Sequence, residues 1–190
     1  IRLPLHMGSM DKVKLGSSSL RSFIKKYTAD KCIMDKLDGS SMLIDLRDPS
    51  STKAYTRGNG TFGQDISSKA IYIKGLEHIN TSTIGGYIRG EAIVNKTMWE
   101  KIAEKGANAR NYVAGVINRK EITPEDLANI EFVAYEWISD SSEKLSISEQ
   151  LERLKTHKYL TVRHEIYKIE AEDDLPEILI NYRKTSDYEI

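Results

Sequence analysis

The chain has 190 residues, and its 28 Lys and Arg residues balance its 28 Asp and Glu residues, so the formal net charge is zero. This length suits one domain with a sizeable core, and the balanced charge excludes an overall basic surface for nucleic acid. The single cysteine, Cys32, excludes a disulfide framework and a cysteine-based zinc site and indicates a reducing compartment. Because neither a run of 18 apolar residues nor a signal peptide is visible, we expect no membrane span.

Residues 1–30 are predicted to form an extended lead segment followed by one amphipathic helix. Ser17 to Ser19 offer an N-cap for that helix. Apolar residues then recur at helical spacing over about three turns, and they are Leu20, Phe23, Ile24 and Tyr27.

Short strands are predicted next, because apolar runs alternate with turn residues. These strands are Lys31–Leu37, Ser41–Leu46, Lys53–Thr56 and Ala70–Ile73. Asp38-Gly39 is typical of a tight turn, which would join the first two strands and hold Lys36 at a strand end, facing into a cleft. Gly58–Gly63 matches G-x-G-x-x-G, but no helix follows directly, so we interpret it as a glycine-rich loop and not as a dinucleotide fingerprint.

Two longer strands are predicted in the second half of the chain. In Tyr87–Val94 the side chains of Arg89 and Glu91 share one face by alternation, which suits a cleft wall, with a surface ion pair as the alternative. The other strand is Ile130–Ile138, where core packing alone also accounts for aromatic residues. In this strand, alternation places Tyr135 and Trp137 on the same face.

Helix-start signals predict the remaining helices. One helix is capped by Thr97 and ends at Gly106, and the next covers residues 108–120, with anion-facing residues at its start. Three more helices begin at Thr123-Pro124, at the capping box Ser146–Glu149 and at Asp174–Pro176. Further strands are predicted at Tyr159–Val162 and Ile166–Ile169. The four histidines lack metal-ligand spacing, so the sequence predicts no metal-binding residues.

Lys36 is a candidate nucleophile, since a lysine can form covalent intermediates when its amine is neutral. A free lysine is almost wholly protonated at neutral pH, and burial or nearby cations favour the neutral form. Asp35 and Asp38 act in the opposite direction because carboxylates retain the proton. A basic neighbour, a bound metal or both are therefore expected to activate Lys36, and an inert surface turn is the alternative.

Five segments, in order along the chain, resemble the adenylation (nucleotidyltransferase) domain of NAD-dependent DNA ligases, and specifically a divergent viral-type member. Lys36–Gly39 resembles the K-x-D-G motif whose lysine becomes linked to AMP. Thr56–Ile66 resembles the T-R-G-[DN]-G-x-x-G-x-D loop, and Arg89–Glu91 resembles the R-G-E strand. Asn108–Gly115 is similar to N-P-R-N-x-x-A-G, and Phe132–Tyr135 is similar to the strand whose tyrosine stacks on adenine.

The resemblance implies an α+β fold, namely a nucleotidyltransferase (ATP-grasp-like) domain with mainly antiparallel sheets flanked by helices. Residues 1–190 would be a single adenylation-domain fragment. Residues 31–190 would form the nucleotidyltransferase core, incomplete at its C-terminal end, and residues 1–30 the lead segment and helix. Within the lead segment, His6–Asp11 resembles the family's P-M-L-S-L-D segment, which contacts adenine.

The resemblance also implies roles for charged residues. Lys36, followed in the same motif by Asp38, would attack the α-phosphorus of NAD, expel nicotinamide mononucleotide and hold AMP as a phosphoramidate. This is the first step of DNA nick sealing in replication and repair. Arg57 would contact phosphate or ribose and favour the neutral Lys36 amine. Glu91 would bind ribose or support a Mg²⁺ ion, and Arg110 would bind phosphate of the leaving group or of nicked DNA.

The adenine pocket departs from the family pattern at one position. Tyr135 would stack on adenine, with Ser9 and Met10 at its other edge. Met34 stands where the family usually has a glutamate that reads the adenine amino group, and Asp35 follows one residue later. Adenine selectivity would therefore need another donor or acceptor.

Two more departures concern the C-terminal half. Asn118 stands where the family has an arginine, and Arg119 or Lys120 would replace it in a shifted register. The family continues with D-G-[IV]-V-[IV]-K and another essential lysine, which would begin where Ile190 ends the sequence. We therefore expect weak or absent self-adenylation, and no nick sealing, from these 190 residues alone.

Other functions stay open at this point. An ATP-dependent ligase or a capping-type nucleotidyltransferase shares the K-x-D-G lysine, and a catalytically inactive nucleotide- or nucleic-acid-binding module is the other alternative. For the leading interpretation, NAD is the substrate and AMP donor, Mg²⁺ is the cofactor, and nicked duplex DNA is the partner of the full-length protein. We expect an intracellular monomer without membrane contact, in a viral factory, the cytoplasm or the nucleus.

Overall fold

The computed structural model describes residues 1–186, and within them two antiparallel sheets are combined with helices. The strands are β1 (Lys31–Met34), β2 (Ser40–Asp45), β3 (Lys53–Thr56), β4 (Tyr87–Ile93), β5 (Glu131–Ile138) and β6 (His164–Tyr167). The larger sheet has the order β3-β2-β4-β5, and β1 pairs with β6 in a separate ribbon. The predicted α+β class with mainly antiparallel sheets is confirmed.

Helices precede, connect and follow the strands along the chain. They are α1 (Ser18–Lys26), α2 (Ser67–Ala70), α3 (Lys96–Ile102), α4 (Ala109–Asn118), α5 (Pro124–Ala128), α6 (Ile147–Thr156) and α7 (Leu175–Lys184). Short 3₁₀ turns cover Ile79–Thr81, Ala103–Lys105 and Glu172–Asp174. Within the described residues, no helix has both the length and the apolar character needed to cross a membrane.

Several predicted helix starts are confirmed by their capping hydrogen bonds. Ser17 accepts from the backbone N–H of Leu20, and Thr123 accepts from that of Asp126, with Pro124 in the first turn. Ser146 forms the predicted reciprocal capping box. These side chains satisfy N–H groups that the first helical turn leaves without partners.

Two local predictions are wrong. The cap of α3 is Asn95 and not Thr97, because the Asn95 side chain accepts from the backbone N–H of Met98, the third residue of the helix. Ala70–Ile73 is not a strand but the end of α2 followed by turns. The segment is closed by turn hydrogen bonds, since the Tyr72 N–H donates to the Lys69 carbonyl at 3.1 Å and the Ile73 N–H donates to the Ala70 carbonyl at 3.0 Å.

The hairpin predicted at Asp38-Gly39 is also wrong, since β1 and β2 do not pair with each other. Gly39 is required for a close approach, because a Cβ there would lie 2.1 Å from the carbonyl oxygen of Ala92. Lys36 nevertheless follows a strand end, as predicted, because β1 stops at Met34.

The C-terminal strand predictions are partly confirmed. The strand predicted at Ile166–Ile169 is present as β6, two residues earlier. The strand predicted at Tyr159–Val162 is reduced to one parallel bridge to Ala134, with two 2.8 Å backbone hydrogen bonds. This bridge attaches the segment to the outer edge of β5.

The main core lies on one face of the larger sheet. Met42 and Ile44 of β2 and Ile88 of β4 are fully buried there. They pack in one cluster with apolar residues of α4 and α6, namely Val113, Val116, Ile117, Leu151 and Leu154. Alternation leaves Ser41, Arg89 and Glu91 on the opposite face, where part of the sheet is covered by Leu3 and Met7 of the lead segment.

Candidate active site

Lys36 is an exposed residue between two buried neighbours. Leu37 belongs to the main core, and the Asp35 side chain is only 2% exposed. Asp35 accepts hydrogen bonds from Arg163 at 3.0 Å and from the Ser186 hydroxyl at 2.9 Å. The side chains on either side of Lys36 are thus fixed inward, which leaves the lysine on the solvent side.

Glu91 is the carboxylate beside Lys36. Burial raises its pKa, and this effect outweighs several interactions that favour the ionised form. The Ser41 hydroxyl donates to Glu91 Oε2 at 2.8 Å, and the nearby backbone N–H of Gly39 also favours the ionised carboxylate. The positive charges of Lys36 and Arg110 act in the same direction. Glu91 is therefore held by fixed donors at the edge of a cationic site.

Arg110 lies in the first turn of α4 and points back to the lysine motif. Its Nη1 donates to Asp38 Oδ1 at 2.8 Å, while the two side chains are 62% and 43% exposed. Asn108 caps the helix and so fixes where Arg110 leaves it. An ion pair this exposed contributes up to about 1 kcal/mol, so the Arg110 guanidinium is accessible to an anionic ligand.

Tyr135 occupies a β-bulge in the pairing of β4 with β5. Arg89 is opposite Glu136, but the next residue, Gly90, is opposite Ala134, so Tyr135 is the extra residue. A bulge changes the direction of the side chains around it. Tyr135 therefore joins the face that carries Arg89.

The expectation that Tyr135 and Trp137 share one face is wrong for this reason. Trp137 is opposite Ile88 and belongs to the main core. Tyr135 instead lies close to Glu91 and to the Ser41 hydroxyl, and burial, with the nearby Glu91 charge, raises the pKa of Tyr135 to about 12. The bulge is what brings this tyrosine to the side of the sheet that carries Glu91.

Arg57 connects the glycine-rich loop to the lead segment. Its Nε donates to the Met7 carbonyl at 3.1 Å and its Nη2 to Ser9 Oγ at 2.7 Å. Met7 also donates its N–H to the Gly60 carbonyl at 2.9 Å. Gly60 has φ +91°, and a Cβ there would lie 2.8 Å from the Met7 oxygen. The loop needs glycine here so that the lead segment can lie against it.

The remaining predicted residues are less closely associated with Lys36. Met10 is 73% exposed, and Met34 is partly buried against the main core. Asp35 does not take the place of the glutamate expected at Met34, since its carboxylate is occupied by buried partners. Asn118 donates from its side chain to the Ala114 carbonyl of its own helix, and Arg119 is the C-cap of that helix.

The charges of the R-G-E strand do not pair with each other. Arg89 donates to Glu136 Oε2 and to the His6 carbonyl, both at 2.7 Å. The predicted alternative of an Arg89–Glu91 ion pair is therefore wrong, and Arg89 helps to hold the lead segment. Glu91 instead interacts with Ser41 and with the lysine motif.

Ser41 was not among the residues selected from the sequence. It is directly opposite Glu91 in the pairing of β2 with β4. A serine at the start of an apolar strand carries no signal of this role, and only the sheet order brings the two side chains together. Arg163 and Ser186, which hold Asp35, were missed because they lie far along the chain.

Comparison with known proteins gives one consistent result. Residues 4–190 match the model of the NAD-dependent DNA ligase adenylation domain. The DNA ligase of Acanthamoeba polyphaga mimivirus is 36% identical over 100% of this chain and 30% of its own length. The protein 205R of Invertebrate iridescent virus 6 is 35% identical over 91% of this chain and 29% of its own length. The DNA ligase of Lactobacillus helveticus is 26% identical over 63% of this chain and 19% of its own length.

The chain thus spans less than a third of the length of the relatives that it matches. The matches include viral and bacterial proteins, and the family model covers nearly every residue.

Proposed function

The chain belongs to the NAD-dependent DNA ligase adenylation domain family, and on that premise we propose that it transfers AMP from NAD to Lys36. The observation that supports this most is the arrangement around Lys36. Lys36 is exposed, while the residues on either side of it are buried. The Glu91 carboxylate lies near this lysine, and the Arg110 guanidinium pairs with Asp38 of the same motif. Such a group of charges suits phosphoryl chemistry better than a structural ion pair.

In the proposed step, the neutral Lys36 amine attacks the α-phosphorus of NAD. A nitrogen–phosphorus bond forms, and the bond from that phosphorus to the pyrophosphate bridging oxygen breaks. Nicotinamide mononucleotide leaves with the electron pair, and the amine proton passes to solvent or to a base. Arg110 is suited to balance the charge of the phosphate oxygens, since a guanidinium matches phosphate geometry.

Tyr135 and Ser41 are proposed to organise the nucleoside end. The Tyr135 ring is suited to stack on adenine, and Glu91, fixed by Ser41, is suited to accept from a ribose hydroxyl. Ser9 is tied to Arg57, so the lead segment borders the same region. These roles are proposals that follow from the family and from the contacts described.

Mg²⁺ is proposed to arrive with the substrate. Among the described residues, no cluster of three metal-ligating side chains occurs. Mg²⁺ is commonly bound by one or two carboxylates together with substrate phosphates, and Glu91 and Asp38 beside Lys36 fit that arrangement. The ion would supply charge neutralisation at the nonbridging oxygens.

We extend the proposal to the longer protein class represented by the relatives. It comprises a nucleotidyltransferase fold, nicked duplex DNA as the partner, monomeric action in replication or repair, and a location in a viral factory, the cytoplasm or the nucleus. The mimivirus relative is named a DNA ligase. For this chain, those properties rest on the family alone.

Intact mass spectrometry tests the central step. For the chain extended as described next, we expect a gain of one adenylate after incubation with NAD and Mg²⁺, absent with ATP and absent in Lys36→Ala, whereas Lys53→Ala on β3 behaves as wild type. The same measurement uses the chain extended past Ile190 with the corresponding segment of the mimivirus relative. A gain with ATP would indicate the other ligase class, and no gain even in the extended protein would contradict enzymatic function.

A further inference from the structure

We propose that Asp35 is a positioning residue for Lys36. Its carboxylate, together with Arg163 and Ser186, fixes the peptide that carries the lysine to the end of α7. This inference rests on the proposed role of Lys36 as the nucleophile, and it assigns a function to a residue that sequence reasoning treated only as an unfavourable charge.

The contacts of Asp35 hold both its side chain and its backbone. Oδ1 accepts from Arg163 Nη2 at 3.0 Å and Oδ2 accepts from the Ser186 hydroxyl at 2.9 Å. The Asp35 backbone N–H donates to the Arg163 carbonyl at 3.3 Å. Because the side chain is only 2% exposed, these protein groups, and not solvent, surround the carboxylate.

The partners of Asp35 are themselves fixed. The Arg163 guanidinium lies over the Tyr182 ring, 4.0 Å from its centroid, and also donates to the Tyr182 carbonyl. The Tyr182 hydroxyl donates to the Ile33 carbonyl at 3.3 Å, and Lys96 Nζ donates to the Ser186 carbonyl at 2.6 Å. Tyr182 of α7 and Ser186, which follows α7, therefore hold the chain at Ile33 and at Asp35, just before Lys36.

This arrangement affects the nucleophile more than a distant buried ion pair would. Asp35 is the direct neighbour of Lys36, and Leu37 is anchored in the core on the other side. If the Asp35 carboxylate is lost, the residue before Lys36 loses its side-chain anchor, and the direction of the lysine depends on the remaining contacts at Leu37 and Asp38. Because an in-line attack depends on the position of the amine, a shift of about 1 Å can lower the rate about 100-fold.

Asp45 provides a matched control for the loss of a buried aspartate. It is also paired with an arginine, Arg47, at 2.9 Å, and its side chain is 11% exposed. It lies on β2 opposite Tyr87, four residues beyond Ser41, at the far end of the strand from the lysine motif. Asp45→Ala therefore reports the general cost of such a loss.

The test combines two measurements on the extended protein described above, at a temperature where every variant is folded. Hydrogen–deuterium exchange reports the backbone from Met34 to Asp38. Rapid-quench kinetics report the rate of lysyl-AMP formation at saturating NAD and the NAD concentration that gives half of it. The variants are Asp35→Ala, Asp35→Asn and Asp45→Ala.

For Asp35→Ala we expect faster exchange of this segment and a 10- to 100-fold slower adenylation rate at saturating NAD, with half-saturation changed by less than about 3-fold. Asp35→Asn keeps an acceptor for Arg163 and should recover most of the rate. Asp45→Ala should change neither the exchange near Lys36 nor the rate.

The outcomes separate the two hypotheses. Unchanged exchange in Asp35→Ala overturns the anchor, whatever the kinetics. Faster exchange with an unchanged rate overturns the positioning role. The positioning role is also overturned if Asp35→Ala slows adenylation no more than Asp45→Ala does. It is overturned as well if Asp35→Ala changes only the NAD concentration that gives half the maximal rate. If the wild-type protein forms no adenylate from NAD, the proposed function fails first, and with it the positioning role, while the exchange data still decide whether the anchor exists.

Discussion

The Ser41 hydroxyl donates a 2.8 Å hydrogen bond to Glu91 from the position directly opposite on the neighbouring strand. With the Gly39 N–H, it compensates part of the cost of burying a carboxylate beside the candidate nucleophile. The pair links two segments that carry separate motifs, the lysine motif and the R-G-E strand. A substitution at Ser41 should therefore act by changing the ionisation of Glu91.

Ser41→Ala tests that link. Burial already raises the pKa of Glu91, and without the hydrogen bond the ionised form loses a donor, so the pKa rises further. We expect the acidic limb of the adenylation pH profile to move to higher pH. We also expect the neutral-pH rate to fall about 10- to 100-fold, the size of one hydrogen bond to a charged group. Ser40→Ala, on the other face of β2, is the control, and an unmoved acidic limb would contradict the assignment.

Glu91→Gln should change stability in a pH-dependent way. Because the folded-state pKa of Glu91 is raised, the neutral carboxyl stabilises the fold below the unfolded pKa, and this contribution is lost as pH rises through the folded pKa. Glutamine does not ionise, so the variant avoids that loss. We expect its Tm, relative to wild type, to be higher at neutral pH than at acidic pH. Melting curves across this range check the direction, and a constant difference would argue against it.

Local signals in the sequence predicted much of this structure. The caps at Ser17, Thr123 and Ser146 were correct because each hydrogen bond closes within one helical turn. The choice of strand partners could not be predicted in the same way. Lys31 is opposite Tyr167, far along the chain, and no short-range pattern indicates that pairing.

Site residues that belong to a sequence motif could be predicted, whereas those that strand pairing alone brings to the site could not. Lys36 and Arg110 were selected from the sequence, and the structure brings their motifs together through Asp38. Alternation gave the wrong face for Tyr135, because one extra residue in a bulge changes the face of a side chain. Ser41 acquires its role only from the residue opposite it.

Gly60→Ala should release the lead segment. The substitution puts a side chain at φ +91° and 2.8 Å from the Met7 carbonyl oxygen. Gly16 is a matched control, because it also has a positive φ, +77°, but nothing lies within 4 Å of an added Cβ. In both variants, backbone strain should lower the free energy of unfolding by about 1–2 kcal/mol. Only Gly60→Ala should also speed protease cleavage within residues 1–10; equal cleavage in both would contradict a docked lead segment.

Arg110→Ala should affect activity far more than stability. Its ion pair with Asp38 is largely exposed, so we expect the free energy of unfolding to change by less than about 1 kcal/mol. The adenylation rate should fall about 10- to 100-fold, because a charge at the transferred phosphate is lost. Arg21, 61% exposed and paired with Glu172, is the matched control. If Arg21→Ala and Arg110→Ala have the same kinetics, Arg110 has no role in the reaction.

Tyr135 separates the role of its ring from that of its hydroxyl. We expect Tyr135→Phe to keep the dissociation constant of NAD within about 3-fold, since the stacking surface is preserved, and Tyr135→Ala to weaken binding about 5- to 100-fold. Tyr72→Ala, at a tyrosine that is 46% exposed, should leave binding unchanged. Isothermal titration calorimetry measures all three.

The same variant tests the environment of the hydroxyl. Burial raises the pKa of Tyr135 to about 12, so the phenol stays neutral throughout the working pH range. An absorbance titration of wild type minus Tyr135→Phe should therefore show no phenolate signal from this residue at pH 10, where a free tyrosine is half ionised. A signal there would mean that Tyr135 is solvated, and would contradict its burial beside Glu91.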